Sequence, residues 1–326
     1  MLQRFLYGFI AISAVVCVVV LDWFLATSPK TAGGTLGHLV SRGTLIPVLF
    51  AALVLGGSLE MMRLLRSVGL RPHALIAVVM CVVLMLSPWL CAAGLLGESP
   101  GDVEGLQWQL IWLGLAALVT GVAQLRRGFT DGAIGDIAAT WMTILYLGLL
   151  PSFATQLRSS PDVPGSEGPW LILMFLAVTK ASDVGAYLTG TAIGRRKLIP
   201  AISPGKSIEG AVGGVLVSIL VAVIFHQFYF VAGAELPSDS DVLIGFEEIS
   251  RPVRSLAFWQ AVVFGALMSV FGQLGDLFES IFKRAAGKKD SASLLPSYGG
   301  LLDLIDSPVF AAPVAWFVLT VWWDIV

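Results

Sequence analysis

The sequence has 326 residues, of which 56% are hydrophobic and only 13% are charged, and its mean hydropathy is +0.85. A soluble domain carries about 25% charged residues and needs a single core, whereas apolar runs recur here from end to end. This composition excludes a soluble globular protein, and we expect no nucleic-acid partner. The net charge of −2 is uninformative, because in such a chain charge matters loop by loop.

The apolar runs are long enough to cross a bilayer, which takes about 20 mostly apolar residues. They lie near residues 5–25, 44–62, 73–96, 106–125, 134–155, 169–190, 208–232, 256–280 and 308–323. The first run is longer than the apolar core of a signal peptide, so we interpret it as a retained helix. The sequence therefore predicts an all-α polytopic membrane protein with about nine transmembrane helices.

Loop charges predict the orientation of these helices. Basic loops alternate with acidic loops along the chain, and the most basic ones lie at 191–207 and 281–307. Since Lys and Arg are enriched in cytoplasmic loops, we expect the N-terminus and the basic loops to be cytoplasmic and the C-terminus to be outside.

One group of polar residues interrupts the sixth apolar run. Lys180, Asp183 and Tyr187 lie on one face of the predicted helix. Ionisable residues inside a span are expensive, so they indicate a functional site.

The stretch SPGKSIEG follows this run and contains Ser203, Lys206 and Ser207. Ser207 is placed to cap the next helix, whose first N–H groups can bind an anion. Simple helix capping without a ligand is the alternative interpretation. The following GAVGG is typical of close helix packing.

A second group of polar residues connects the last two apolar runs with four cations and five carboxylates. Asp276, Glu279 and Lys283 share one helical face, and Asp303 and Asp306 repeat the same three-residue spacing. Paired carboxylates are ligands for a hard cation such as Mg²⁺, and the cations suit a polyphosphate. The alternative is a salt-bridged cytoplasmic loop.

Two further features have simpler interpretations. Glu60 and Arg63 are spaced for a local ion pair at the end of the second run. The three cysteines have no metal-binding spacing and are expected to be small apolar fillers; they are Cys17, Cys81 and Cys91.

The polar stretches together resemble a known family. From Ser280 the pattern S-x-x-K-R-x4-K-D, followed by L-P-x-x-G-G-x-x-D-x-x-D, resembles the signature of phosphatidate cytidylyltransferases, the CDP-diacylglycerol synthases. The elements at 203–214 and from Asp183 resemble other conserved blocks of that family. The likeness is concentrated in 180–214 and 272–307.

The resemblance implies cytidylyl transfer from CTP to phosphatidate, which gives CDP-diacylglycerol and pyrophosphate. It implies Mg²⁺ ligands at Asp276, Asp303, Asp306 and Glu279. Catalytic roles are implied for Asp276, Asp303, Lys283, Lys289 and Asp290. Substrate contacts are implied for Ser203, Lys206, Ser207, Arg284, Asp183 and Tyr187.

The resemblance also implies a division of the chain and a location. We expect residues 1–165 to form a scaffold of helices, and 166–326 to carry the nucleotide, metal and lipid-phosphate site in a cleft facing the cytoplasm. CTP, phosphatidate and the bilayer are the expected partners, in a bacterial inner membrane. A second cation such as K⁺ and a homodimeric assembly are compatible with this interpretation.

Several positions depart from the family pattern and leave alternatives open. The departures are Tyr298 for His, Leu304 for Arg, Gly205 for Lys, Ile208 for Trp and Ala292 for Gly. One alternative is a CTP-dependent enzyme acting on another lipid, such as a CDP-archaeol synthase or polyprenol kinase. The other is a transporter whose ion path contains Lys180, Asp183 and Asp276.

Overall fold

A computed structural model describes residues 2–27, 43–96, 104–160, 167–231, 256–292 and 299–323. These residues form nine helices: α1 (Leu2–Thr27), α2 (Leu45–Ser67), α3 (Ala74–Ala92), α4 (Glu104–Arg127), α5 (Ala133–Ser159), α6 (Gly168–Ile193), α7 (Ile208–Phe225), α8 (Phe258–Ala285) and α9 (Leu302–Trp316). Three short π-helical segments lie inside α5 and after α7 and α9: Ile144–Leu149, His226–Val231 and Phe317–Trp322.

Eight of the helices in the described part of the chain, α2 to α9, are long and apolar enough to cross a membrane. The stretch Ser13–Thr27 of α1 is also apolar. The structure thus confirms the all-α polytopic membrane fold. It also corrects one boundary, because α9 begins at Leu302 and not near residue 308. Asp303 and Asp306 therefore lie in the first turns of a helix. Their charges interrupt the apolar pattern, which is why the sequence did not predict this start.

The basic segment before α7 was expected to be a loop, but part of it is a small antiparallel hairpin. Its strands are β1 (Lys197–Ile199) and β2 (Ser203–Ser207), with Lys197 opposite Ser207. β2 leads directly into α7, and the Ser207 Oγ accepts a hydrogen bond from the Gly210 N–H at 3.1 Å. The predicted capping of this helix by Ser207 is confirmed.

Helices α6 to α9 pack closely because small residues line their contacts. α6 contacts α7 and α8, and α8 contacts α9. A Cβ at Gly214 in α7 would lie 2.9 Å from the Ser182 carbonyl oxygen in α6, so the GAVGG stretch packs as predicted. The hydroxyl groups of Ser182 in α6 and Ser269 in α8 are hydrogen-bonded at 2.6 Å.

Two apolar clusters hold the bundle together. One is formed mainly by α5, α6, α8 and α9, and the other mainly by α2, α3, α5 and α9. Because α9 contributes to both clusters, it joins the N-terminal helices to the C-terminal ones. The first turns of α9 pack in the second cluster through Leu302 and Ile305, and its later turns pack in the first cluster through Ala311 and Ala315.

Gly275 lies at a close contact between α8 and α9. A Cβ at this position would overlap the carbonyl oxygen of Asp306. We expect Gly275→Ala to force the two helices apart and to lower the free energy of unfolding by about 1–3 kcal/mol. Thermal unfolding of the purified protein in detergent measures this effect.

Gly114→Ala in α4 is the matched control, because nothing lies within 4 Å of a Cβ at Gly114. This substitution is expected to be neutral or slightly stabilising, since Ala favours a helix over Gly. Equal melting temperatures for the two variants would contradict a close contact between α8 and α9 at Gly275.

Candidate active site

Three carboxylates from two helices meet inside the bundle. Asp276 and Glu279 on α8 and Asp306 on α9 each offer an oxygen, and these oxygens lie within 4.8 Å of one another. Glu279 is fully buried, and its carboxylate pairs with the ammonium group of Lys283. Oxygens held this close, with lone pairs left over, fit a hard divalent cation. We call Asp276, Glu279 and Asp306 the carboxylate trio.

The hairpin places a cation against the carboxylate trio. Lys206 on β2 forms an ion pair with Asp276, with 2.7 Å between Nζ and Oδ2. Both side chains remain partly accessible, at 23% for Lys206 and 29% for Asp276. The hairpin is held in place by Arg284 at the end of α8, which donates to the Ile202 carbonyl at 3.2 Å. The 203–207 segment therefore borders the trio directly.

The polar residues of α6 reach the same place from the other side. Lys180 pairs with Asp183 at 3.2 Å and with Asp306 at 3.7 Å. The Ser307 hydroxyl lies 3.2 Å from both carboxylate oxygens of Asp183. The structure thus brings the α6 residues and the carboxylate trio together, as the high cost of isolated charge inside a membrane predicted.

Lys283 occupies the far side of the trio and joins two carboxylates. Its ammonium group forms ion pairs with Glu279 and with Asp303, the latter at 2.6 Å. The other oxygen of Asp303 accepts hydrogen bonds from the Gly300 and Ser291 N–H groups, and it lies 2.8 Å from the Ser291 hydroxyl. Asp303 is thus fully engaged and is not part of the trio, which makes it a poorer candidate for a metal ligand than Asp306.

The expected local pair of Glu60 with Arg63 is wrong. Glu60 is buried and accepts hydrogen bonds from Ser291, Leu301 and Leu302, whereas Arg63 is exposed. Sequence reasoning missed this residue because its partners lie more than 200 positions away, and the helical spacing offered a nearer one.

Other residues implied by the family resemblance are more exposed than the carboxylate trio. Tyr187 is 62% exposed on α6, and Lys289 and Asp290 are exposed after α8. Ser203 is half-buried at the start of β2. Their substrate and catalytic roles stay predictions.

Four of the five family departures lie in the described residues. Ile208 is exposed at the start of α7, and Ala292 is half-buried after α8. Leu304 packs against the apolar cluster of α2, α3, α5 and α9, and Gly205 is open to its surroundings. Tyr298 lies outside the described residues.

The fold and the site define a class of protein: a polytopic membrane protein with a carboxylate and lysine cluster set among its last helices. The family model described as Cytidylyltransferase family matches residues 27–322, and the chain belongs to this family.

Individual relatives agree with this assignment. The chain is 33% identical over 209 residues to a protein named Uncharacterized protein YnbB from Escherichia coli (strain K12), which covers 64% of this chain and 62% of that one. It is 36% identical over 179 residues to a Phosphatidate cytidylyltransferase of Staphylococcus saprophyticus, and the match covers 55% of this chain and 57% of that protein. It is 30% identical over 219 residues to a Phosphatidate cytidylyltransferase of Bacillus subtilis (strain 168), and the match covers 67% of this chain and 70% of that protein. The chain thus matches about three fifths of the length of the first two relatives.

Proposed function

We propose that this protein transfers a cytidylyl group from CTP to phosphatidate, giving CDP-diacylglycerol and pyrophosphate. In this reaction an oxygen of the lipid phosphate forms a bond to the α-phosphorus of CTP, and the bond to the pyrophosphate leaving group breaks. The observation that supports the proposal is the carboxylate trio with Lys206 beside it. The trio lies inside the region that matches the family.

The chemistry asks mainly for charge neutralisation and alignment, because both reactants are anionic. Mg²⁺, held by Asp276, Glu279 and Asp306, would polarise and align phosphate oxygens. Lys206 would bind the triphosphate, with Arg284 and Lys289 at the entrance. No general base is needed, since the lipid phosphate already carries a nucleophilic oxygen. K⁺ as a second cation and Asp303 as a further ligand stay predictions.

The proposed orientation places the site at the cytoplasmic side, where CTP is found. The segments 191–207 and 281–307, which hold the hairpin and the end of α8, are the most basic loops of the sequence, and this supports the orientation through the positive-inside rule. The bacterial relatives suggest an inner membrane. The N-terminal scaffold, the C-terminal site region and the homodimer also stay predictions.

A second candidate function is cytidylyl transfer to a different lipid acceptor. The observation that favours it is Leu304, which packs in an apolar cluster where the family pattern has Arg. A leucine cannot bind a phosphate as an arginine would, so Leu304 indicates either a changed substrate or a weaker phosphate contact.

The test is turnover of the purified full chain in phosphatidate-containing vesicles with CTP and Mg²⁺, followed as pyrophosphate release. We expect release that depends on all three components and a cytidylylated lipid product. Release only with another acceptor, such as an archaeal ether lipid phosphate, would favour the second candidate. No consumption of CTP with any acceptor would contradict nucleotidyl transfer and support an ion-transporting role.

Lys206 provides a test of nucleotide binding. We expect Lys206→Gln to raise the KM for CTP roughly tenfold or more, since a hydrogen bond to a charged group contributes about 1.5–3 kcal/mol. The control is Lys197→Gln on the neighbouring strand β1, where the side chain is exposed. An equal rise in KM for both variants would mean that the hairpin acts only through its general positive charge.

A further inference from the structure

Glu60 of α2 caps the first turn of α9 from a different helix. Its two carboxylate oxygens accept the N–H groups of Leu301 and Leu302 at 3.0 and 2.9 Å. The first N–H groups of a helix have no partner within the helix, and a negative charge there is favourable. Glu60 is 1% exposed, so this cap is fully enclosed by protein. The start of α9 is therefore set by a residue of the N-terminal half.

Ser291 connects Glu60 to the candidate active site. Its hydroxyl lies 2.8 Å from Glu60 Oε2 and 2.8 Å from Asp303 Oδ2. Asp303 in turn pairs with Lys283, and Lys283 pairs with Glu279 of the carboxylate trio. An unbroken series of polar contacts thus runs from α2 to a residue that the proposed function places on Mg²⁺.

The Gly-Gly turn before α9 is shaped around this contact. Gly299 has a φ of +91°, which favours glycine. A Cβ at Gly300 would overlap both the Glu60 carboxylate and the Ser291 hydroxyl. The turn therefore needs its second glycine to admit Glu60, and a ligand is not required to explain it.

We propose that Glu60 is a positioning residue for the cytidylyl-transfer site. It touches no member of the carboxylate trio itself. Through the α9 N-terminus it sets the place of Asp306, and through Ser291 and Asp303 it sets the place of Lys283. This inference rests on the proposed function, since the positioned groups are those assigned to Mg²⁺ and to phosphate.

The central variant is Glu60→Gln in the full chain, which keeps the size of the side chain. The Leu301 and Leu302 N–H groups use different oxygens of Glu60, so in the Gln variant one of them would face the amide NH₂, which is itself a donor. At saturating Mg²⁺ we expect kcat to fall at least ~10-fold while the KM for CTP stays within about twofold, because the alignment of the site is lost and not a contact with CTP. Glu60→Asp, which restores the charge at a shorter reach, is expected to recover part of the loss.

Ser291 supplies a second and milder variant. Ser291→Ala removes the hydroxyl between Glu60 and Asp303 but leaves the Ser291 N–H on Asp303 and the cap of α9 in place. Ser291→Thr keeps a hydroxyl. We expect a smaller fall in kcat for Ser291→Ala and recovery with Ser291→Thr. Because the two residues act in one series, the Glu60→Gln/Ser291→Ala double variant is expected to be no slower than Glu60→Gln alone. If Glu60→Gln fails to fold, this serine pair still decides the question.

Two controls separate positioning from a general loss of stability. Arg63→Gln changes a charge one turn further along α2 at an exposed position. Asp22→Asn breaks a buried ion pair with Arg158, in which the two atoms are 2.8 Å apart. Asp22 contacts the start of α2, which lies about 22 Å along the helix from Glu60. A similar fall in kcat for Asp22→Asn at equal loss of melting temperature would overturn the proposal, as would a Glu60→Gln variant within twofold of wild-type kcat.

A readout that does not need turnover keeps this inference distinct from the proposed function. Binding of Mn²⁺ alone to the purified chain is followed by electron paramagnetic resonance. We expect a dissociation constant at least ~5-fold higher for Glu60→Gln and an unchanged one for Arg63→Gln.

If wild type binds Mn²⁺ but turns over no CTP, the proposed function fails. The positioning role of Glu60 is then tested by comparing the Mn²⁺ dissociation constants of wild type and Glu60→Gln. Equal Mn²⁺ affinity in wild type and Glu60→Gln would then overturn it. A wild-type chain that neither binds Mn²⁺ nor consumes CTP overturns both.

Discussion

Asp276→Asn is expected to lower turnover at least ~100-fold while leaving the protein folded. Asn keeps the size of the side chain but removes the charge that Asp276 offers to a cation and to Lys206. A metal ion contributes several kcal/mol of charge stabilisation in such reactions, and a factor of 100 corresponds to about 2.7 kcal/mol. Pyrophosphate release by the purified variant, measured over a range of Mg²⁺ concentrations, gives the effect.

The Mg²⁺ dependence distinguishes a metal ligand from a neighbour of the metal. Asp276→Asn weakens cation binding, so excess Mg²⁺ is expected to restore part of its activity. Asp303→Asn is expected to be slow at every Mg²⁺ concentration, because Asp303 is bound to Lys283, Ser291 and Gly300.

Asp131→Asn serves as the control, since Asp131 is exposed in the loop before α5. Near-normal turnover of folded Asp276→Asn at moderate Mg²⁺ would remove Asp276 from the metal site.

Much of the fold follows from hydropathy, because a membrane imposes one simple requirement. Each span needs a long apolar run, and α2 to α8 coincide with predicted runs. The predicted start of α9 was too far along the chain, because Asp303 and Asp306 lower the local hydropathy. In the structure both carboxylates have partners inside the protein. The hairpin at 197–207 was also missed, because its strands are too short for a clear alternation of polar and apolar residues.

The candidate site could be predicted in composition but not in its connections. Helical spacing placed Asp276 and Glu279 on one face, and the structure has them together in the carboxylate trio. Spacing could not separate Asp303 from Asp306, because both carboxylates belong to the same three-residue repeat. They differ in their surroundings: Asp303 accepts N–H groups and pairs with Lys283, whereas Asp306 lies beside Asp276 and Glu279 and pairs with Lys180 at the longer distance of 3.7 Å.

Glu60 shows the limit of local patterns most clearly. Its backbone partner Leu301 lies 241 positions away, and no periodicity within one helix reports such a contact. The Gly-Gly turn was a hint, because a small residue often marks the approach of another group, but the turn does not say which group approaches.

Lys283→Met is expected to impair both stability and turnover, because Lys283 is the cation shared by two carboxylates. Glu279 is fully buried and Asp303 nearly so, with side-chain exposures of 0% and 11%. Removing one partner of a buried ion pair typically costs about 3–5 kcal/mol, since the remaining charge is left uncompensated. We also expect turnover to fall at least ~100-fold, because the trio loses the cation that balances it. Thermal unfolding in detergent and pyrophosphate release measure the two effects separately.

The double variant Lys283→Met/Glu279→Gln separates the two roles of this lysine. Neutralising Glu279 removes the uncompensated charge, so the double variant is expected to be more stable than Lys283→Met alone. Its turnover is expected to stay low, because the trio has then lost a carboxylate as well as its cation. If the double variant melts no higher than the single one, Lys283 does not compensate Glu279 in the folded protein. If the single variant turns over normally, the cation that balances the site must come from Lys180 or Lys206 instead.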